Sequence, residues 1–157
     1  MKRVAVLLLA GAAWALPALA IQAGKPAPPL KLALLDGGQY DLAAHRGEVV
    51  VINFWATWCE PCRAELPAFA DYFGEHRGEG LSMLAVSMDD PEDLAKVNRV
   101  AAGLPFPVAT YAEAPLKDYG RIWRLPITFV VDRRGVLRVD GGSGDLATYD
   151  KAALERT

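Results

Sequence analysis

A chain of 157 residues with 52% hydrophobic side chains has enough apolar material for one compact core and needs no covalent staple to fold. Its formal net charge of −2, from 19 acidic and 17 basic residues, argues against nucleic acid as a partner. No internal repeat or low-complexity tract interrupts it.

The first stretch, MKRVAVLLLAGAAWALPALA, sets Lys2 and Arg3 ahead of an apolar run from Val4 to Leu16 and closes on Ala18-Leu19-Ala20. That order reads as a secretory signal peptide over residues 1–20, cut after Ala20. The competing reading is an uncleaved membrane anchor, although about 13 apolar residues fall short of the ~20 a span needs and Pro17 blocks extension. Cleavage removes two basic residues and no acidic one, leaving a more acidic chain. The expected location is the periplasm or another extracytoplasmic compartment, where an unattended cysteine pair oxidises.

Residues 21–29, with Pro26, Pro28 and Pro29, read as an extended tether before a domain at 30–157. Leu30 to Leu35, the turn Asp36-Gly37-Gly38, and Gln39 to Leu42 form the pattern of a β-hairpin. Glu48 to Ala56, EVVVINFWA, is a β-branched and aromatic run with hardly a polar break, which predicts a strand buried on both faces. After Pro61, apolar positions at 62, 66, 69, 70 and 73 make one helical face, with a kink expected at Pro67 and an end at Gly78 and Gly80. Leu81 to Ser87 predicts a second buried strand, Pro91 to Ala102 a helix, and Ile127 to Val131 a third strand. Asp132 to Gly135 turns the chain into a strand over Val136 to Asp140, and a short helix is expected from Thr148. The alternation predicts an α/β sandwich with a central mixed sheet.

Cys59 and Cys62, the two cysteines of the chain, then stand where a central strand passes into a helix. A helix N-terminus offers unpaired N–H groups and partial positive charge that favour a thiolate, so Cys59 is suited to nucleophilic chemistry and Cys62 is near enough to form a disulfide with it. Other chemistries use the same pair. A zinc site with His45 and His76 meets a geometric objection: His76 is 14 residues past Cys62, about 21 Å along a helix. Both histidines are read as solvated, and no metal is expected. A structural disulfide gains little by closing so short a loop. A copper(I)-binding metallochaperone-like module suits soft thiolates but finds no methionine or histidine beside the motif. A peroxidase fits least, because the first cysteine lies within WCxxC.

NFWATWCEPCRAELP resembles the thioredoxin superfamily, and specifically its exported TlpA/ResA-like branch. GKPAPPLKLALLDGGQYDL resembles that branch's N-terminal hairpin, LSMLAVSMDD its second core strand, and DYGRIWRLPITFVVDRRGVLR the segment with its cis-proline. The resemblance spans nearly all of residues 24–142 and implies a thioredoxin-like sandwich. It assigns Cys59 as the exposed attacking cysteine, Cys62 as the buried resolving one, and Pro126 as the cis-proline facing them. The backbone of Leu125 would then pair with an extended substrate. Asn53 departs from the buried aspartate of many thioredoxins, so Glu65, three residues after Cys62, becomes the acid/base candidate. The alternative is a solvated glutamate on the helix surface. Ile127 and Arg124 also depart, from a common threonine and a common glycine. Trp55 is expected to pack under the active-site turn. Trp58 either lines the partner-facing surface or only packs, and Trp123 borders the same groove.

The implied activity is a protein-disulfide reductase that needs no cofactor and acts as a monomer on exported proteins. Its substrates would be thiols of cytochrome c maturation or of metal-site assembly, with electrons from a membrane thiol donor. The direction follows from Glu60-Pro61 between the cysteines: a carboxylate beside Cys59 opposes thiolate formation and leaves the disulfide form comparatively favoured.

Overall fold

A computed structural model describes residues 21–111 and 116–143, so the leader at 1–20 and the helix expected from Thr148 lie outside the described residues. The hairpin comes first, β1 (Lys31–Ala33) against β2 (Gln39–Asp41), with Lys31 opposite Asp41 and an ion pair of 2.9 Å between them. That contact, with the Ala43 amide, holds the Asp41 carboxyl below its ordinary range.

β3 (Val49–Trp55) is the middle of a five-stranded sheet. Its parallel neighbour is β4 (Leu81–Ser87), beyond which lies the parallel β5 (Val108–Thr110). On its other side β6 (Ile127–Val131) runs antiparallel and is followed by β7 (Leu137–Asp140). β3 is buried on both faces because its side chains alternate between two cores. Val50, Ile52 and Phe54 join Leu32, Leu84 and Phe129. Val51 and Trp55 join Cys59, Cys62, Leu66 and Phe69.

α1 (Glu60–His76) continues through Pro67, which sits exposed on it. A 3-10 turn and Gly80, at φ +83°, then lead into β4. The helix expected from Pro91 divides. Pro91–Asp93 is a 3-10 turn, Asp93 adopts φ −92° and ψ 5°, and α2 (Leu94–Ala101) begins only after it. β5 was not predicted: three residues between Pro107 and Tyr111 are too few to show alternation.

The proline-rich stretch is not a free tether. Gly24 N–H donates to the Leu137 carbonyl, Leu137 N–H to that of Lys25, and Ala27 N–H to that of Gly135, at 2.8 to 2.9 Å. The Tyr119 hydroxyl donates to the Pro28 carbonyl at 2.9 Å. Segment 24–28 therefore lies along the turn into β7 and its first residue, Leu137, at the edge of the sheet, a place where the missing N–H groups of proline do no harm.

Neither histidine is fully solvated. His45 stacks on Tyr40 with ring centroids 4.7 Å apart and bonds Glu48 at 2.7 Å; His76 bonds Glu79 at 3.0 Å and lies 4.4 Å from the Tyr72 ring. Among the described residues no helix is long and apolar enough to cross a membrane.

β6 is held at close range by the turn after β7. A Cβ on Gly141 would lie 2.4 Å from the Thr128 carbonyl oxygen and 2.8 Å from its nitrogen. Both obstacles are backbone, so Gly141→Ala is expected to push β6 out of place and cost about 1–3 kcal/mol, the range for overpacking. An unchanged urea midpoint would contradict this close approach.

Candidate active site

β3 ends at Trp55, and the chain turns through Ala56, Thr57 and Trp58 into α1. Cys59 closes that turn, its N–H donating to the Ala56 carbonyl at 3.1 Å. Its backbone is extended, at φ −87° and ψ 102°, so it is the N-cap of α1. The Cys59 Sγ accepts the Cys62 backbone N–H at 3.3 Å, taking up one of the donors that a helix start leaves without a partner. Glu60 and Pro61 occupy the exposed first turn, where proline's missing N–H goes unneeded.

The two sulfurs form a disulfide, with Cα atoms 5.3 Å apart. Cys62 is fully buried, as expected. Cys59 is only 5% exposed, which corrects the expectation of an exposed attacking cysteine. The reason is its capping position: its sulfur is turned inward over the helix end, and Trp58, at 66% exposure, forms the outward surface beside it.

The Leu125–Pro126 bond is cis. Phe54 pairs with Ile127, so Pro126 stands level with Trp55, where β3 leaves the sheet for Cys59. Leu125 packs against both cores, one of which contains the two cysteines. Trp123 is 66% exposed, with the Arg124 guanidinium 5.1 Å from its ring centroid, while Trp55 is wholly buried under the turn. The elements thus bring Cys59, Cys62, Trp58, Leu125 and Pro126 to one end of the sheet.

Glu65 is 2% exposed, which overturns the solvated reading. It lies on the buried side of α1, one turn beyond Cys62, and i,i+3 spacing makes the two side chains neighbours. Asn53 Nδ2 donates to its Oε1 at 3.0 Å.

The sequence reading missed Asp89, nine-tenths buried after β4. Its carboxylate accepts the Thr57 N–H at 2.9 and 3.1 Å, the Thr57 hydroxyl, and the Ser87 hydroxyl at 2.7 Å. Met88 N–H reaches the Trp55 carbonyl at 2.8 Å. The loop after β4 therefore fixes the turn that carries Trp58 and Cys59. Its one sequence signal was an acidic pair, Asp89-Asp90, following a buried strand, and such a pair usually marks solvent. Replacing Asp89 by alanine leaves part-buried donors on Thr57 and a buried one on Ser87 unpaired, and the expected loss is about 1–3 kcal/mol in urea unfolding. Asp89→Asn, which keeps an acceptor, should lose less; equal midpoints for wild type and Asp89→Ala would show that the clamp does not hold the turn.

Residues 23–140 match the model of the AhpC/TSA family. The thiol-disulfide oxidoreductase ResA of Geobacillus kaustophilus is 30% identical over 119 residues, covering 76% of this chain and 68% of that protein. The thioredoxin-like protein YneN of Bacillus subtilis is 35% identical over 121 residues, covering 75% and 70%. Among solved structures, a thiol:disulfide interchange protein of the thioredoxin family from Chlorobium tepidum superposes with a TM-score of 0.72 at 25% identity, over 87% of this chain and 94% of that one.

Proposed function

We propose that this chain, which belongs to the AhpC/TSA family and is one of its thioredoxin-like thiol–disulfide oxidoreductases, is a reductant of disulfides in exported proteins. The observation that carries this reading is a disulfide whose first sulfur caps a helix.

In the dithiol form the same helix end favours the Cys59 thiolate. That thiolate attacks one sulfur of a substrate disulfide: a Cys59–substrate bond forms, the substrate bond breaks, and the displaced sulfur leaves as a thiolate that takes a proton from water. Glu65 accepts the proton of the Cys62 thiol, and the Cys62 thiolate attacks Cys59 Sγ. The Cys59–Cys62 bond forms and the second substrate sulfur departs, taking up the proton from Glu65. Two electrons pass to the substrate; its two protons come from water and from Cys62.

Leu125, ahead of the cis bond, offers its backbone to an extended substrate segment, while Pro126 presents neither N–H nor ligand atom to the sulfurs. The exposed ring of Trp58 beside Cys59 supports a substrate-facing role. The apolar run of residues 1–20 supports export by a signal peptide or an anchor. Substrates are thiols of cytochrome c maturation or metal-site assembly, and a membrane thiol donor returns the electrons to a monomeric protein.

Glu60, exposed in the first turn, sets the direction. Its carboxylate offsets part of the helix-end effect on Cys59, which leaves the reduced form less stabilised than in a dedicated oxidant. The reduction potential is expected near thioredoxin's about −270 mV rather than the about −120 mV of an oxidant, and Glu60→His should raise it. Equilibration against glutathione and dithiothreitol buffers, read by tryptophan fluorescence, measures both. A wild-type value above about −150 mV defeats the reductant reading, and no rise in Glu60→His defeats its electrostatic cause.

A further inference from the structure

One buried side chain beneath the disulfide takes no part in the chemistry above. Asn53 sits in the middle of β3, 2% exposed, in a strand whose other members are Val, Ile, Phe and Trp. Strand alternation turns it to the same side as Val51 and Trp55, toward the core that holds Cys59, Cys62 and Leu66. Its Nδ2 donates to Glu65 Oε1 at 3.0 Å and to Thr128 Oγ1 at 3.1 Å, so both amide hydrogens are used. Its Oδ1 is buried without a hydrogen-bond partner among the described residues. An unpaired buried acceptor destabilises the fold, and an apolar side chain of similar shape would avoid it.

We propose that Asn53 is a positioning residue for Glu65, itself held by Thr128. Thr128 is its directly opposed partner across the β3–β6 ladder, and the close approach of Gly141 fixes the Thr128 backbone. An amide does not titrate, so Asn53 donates to the Glu65 carboxyl group before and after that group takes a proton. Asn53 thus orients an acid supplied by α1.

The inference rests on the reading of Glu65 as the base for Cys62, and the test separates the two. Stopped-flow exchange between the reduced full chain and a disulfide-containing peptide is compared for wild type, Asn53→Leu, Glu65→Gln and the double variant. Glu65→Gln is expected to slow exchange roughly a hundredfold or more, as loss of a general acid/base does. Asn53→Leu is expected to slow it roughly fivefold, about what one hydrogen bond is worth, and to add nothing in the Glu65→Gln background. A loss of rate caused only by a loosened fold would persist in that background. Thr128→Val, which keeps the shape and removes only the outer hydrogen bond, serves if Asn53→Leu does not fold; it should slow exchange by a smaller factor and also lose its effect beside Glu65→Gln. Wild-type exchange in Asn53→Leu, or effects that multiply with Glu65→Gln, overturn the positioning role. Wild-type exchange in Glu65→Gln overturns the reading of Glu65 itself, and the positioning role with it.

Discussion

The hydrogen bond from the Cys62 backbone to the Cys59 sulfur is the contact on which the rest of the site depends. A helix that starts at the end of a buried strand must satisfy its first N–H groups with something, and here a reactive sulfur does it. One atom therefore serves structure in the disulfide and chemistry in the dithiol. Everything that holds α1 against β3 also aims that sulfur: the shared core of Trp55, Leu66 and Phe69, and the Asp89 clamp on Thr57.

Among the described residues, the buried polar side chains Asn53, Glu65, Ser87, Asp89 and Thr128 gather around this arrangement. Among the described residues the buried carboxylates are Glu65, bonded to Asn53, and Asp89, bonded to Thr57 and Ser87. Asp89 spreads its charge over a backbone donor and two hydroxyls, compensation enough for a rigid support. Asn53 Oδ1 has no hydrogen-bond partner among the described residues, while the amide nitrogen serves Glu65. A fold selected for stability alone would fill that position with another Val or Ile, as its neighbours in β3 do.

The long strands and the helix start were legible in the chain because each has a one-dimensional cause. β4 and β6 coincide with the ranges expected from their apolar runs, and β3 falls one residue short at each end. The cysteine pair was legible from spacing and context, whereas the cis bond before Pro126 could be expected only from family likeness. What escaped depends on contacts across the fold. β5 exists because β4 offers it an edge, segment 24–28 is held by β7, and Asp89 looks like a solvated loop acid until Thr57 is found 32 residues away in sequence. The low exposure of Cys59 likewise follows from the direction its sulfur takes as a cap, which spacing does not encode.

The central claim is that Cys59 attacks and Cys62 resolves, and trapping tests it most directly. With Cys62 replaced by alanine, reduced protein mixed with a disulfide-bearing peptide should accumulate a stable mixed disulfide that peptide mapping by mass spectrometry assigns to Cys59. The Cys59→Ala protein, whose remaining thiol is fully buried, should form little or none in the same time. Rapid adduct formation at Cys62 in Cys59→Ala, with none at Cys59 in Cys62→Ala, would contradict the account.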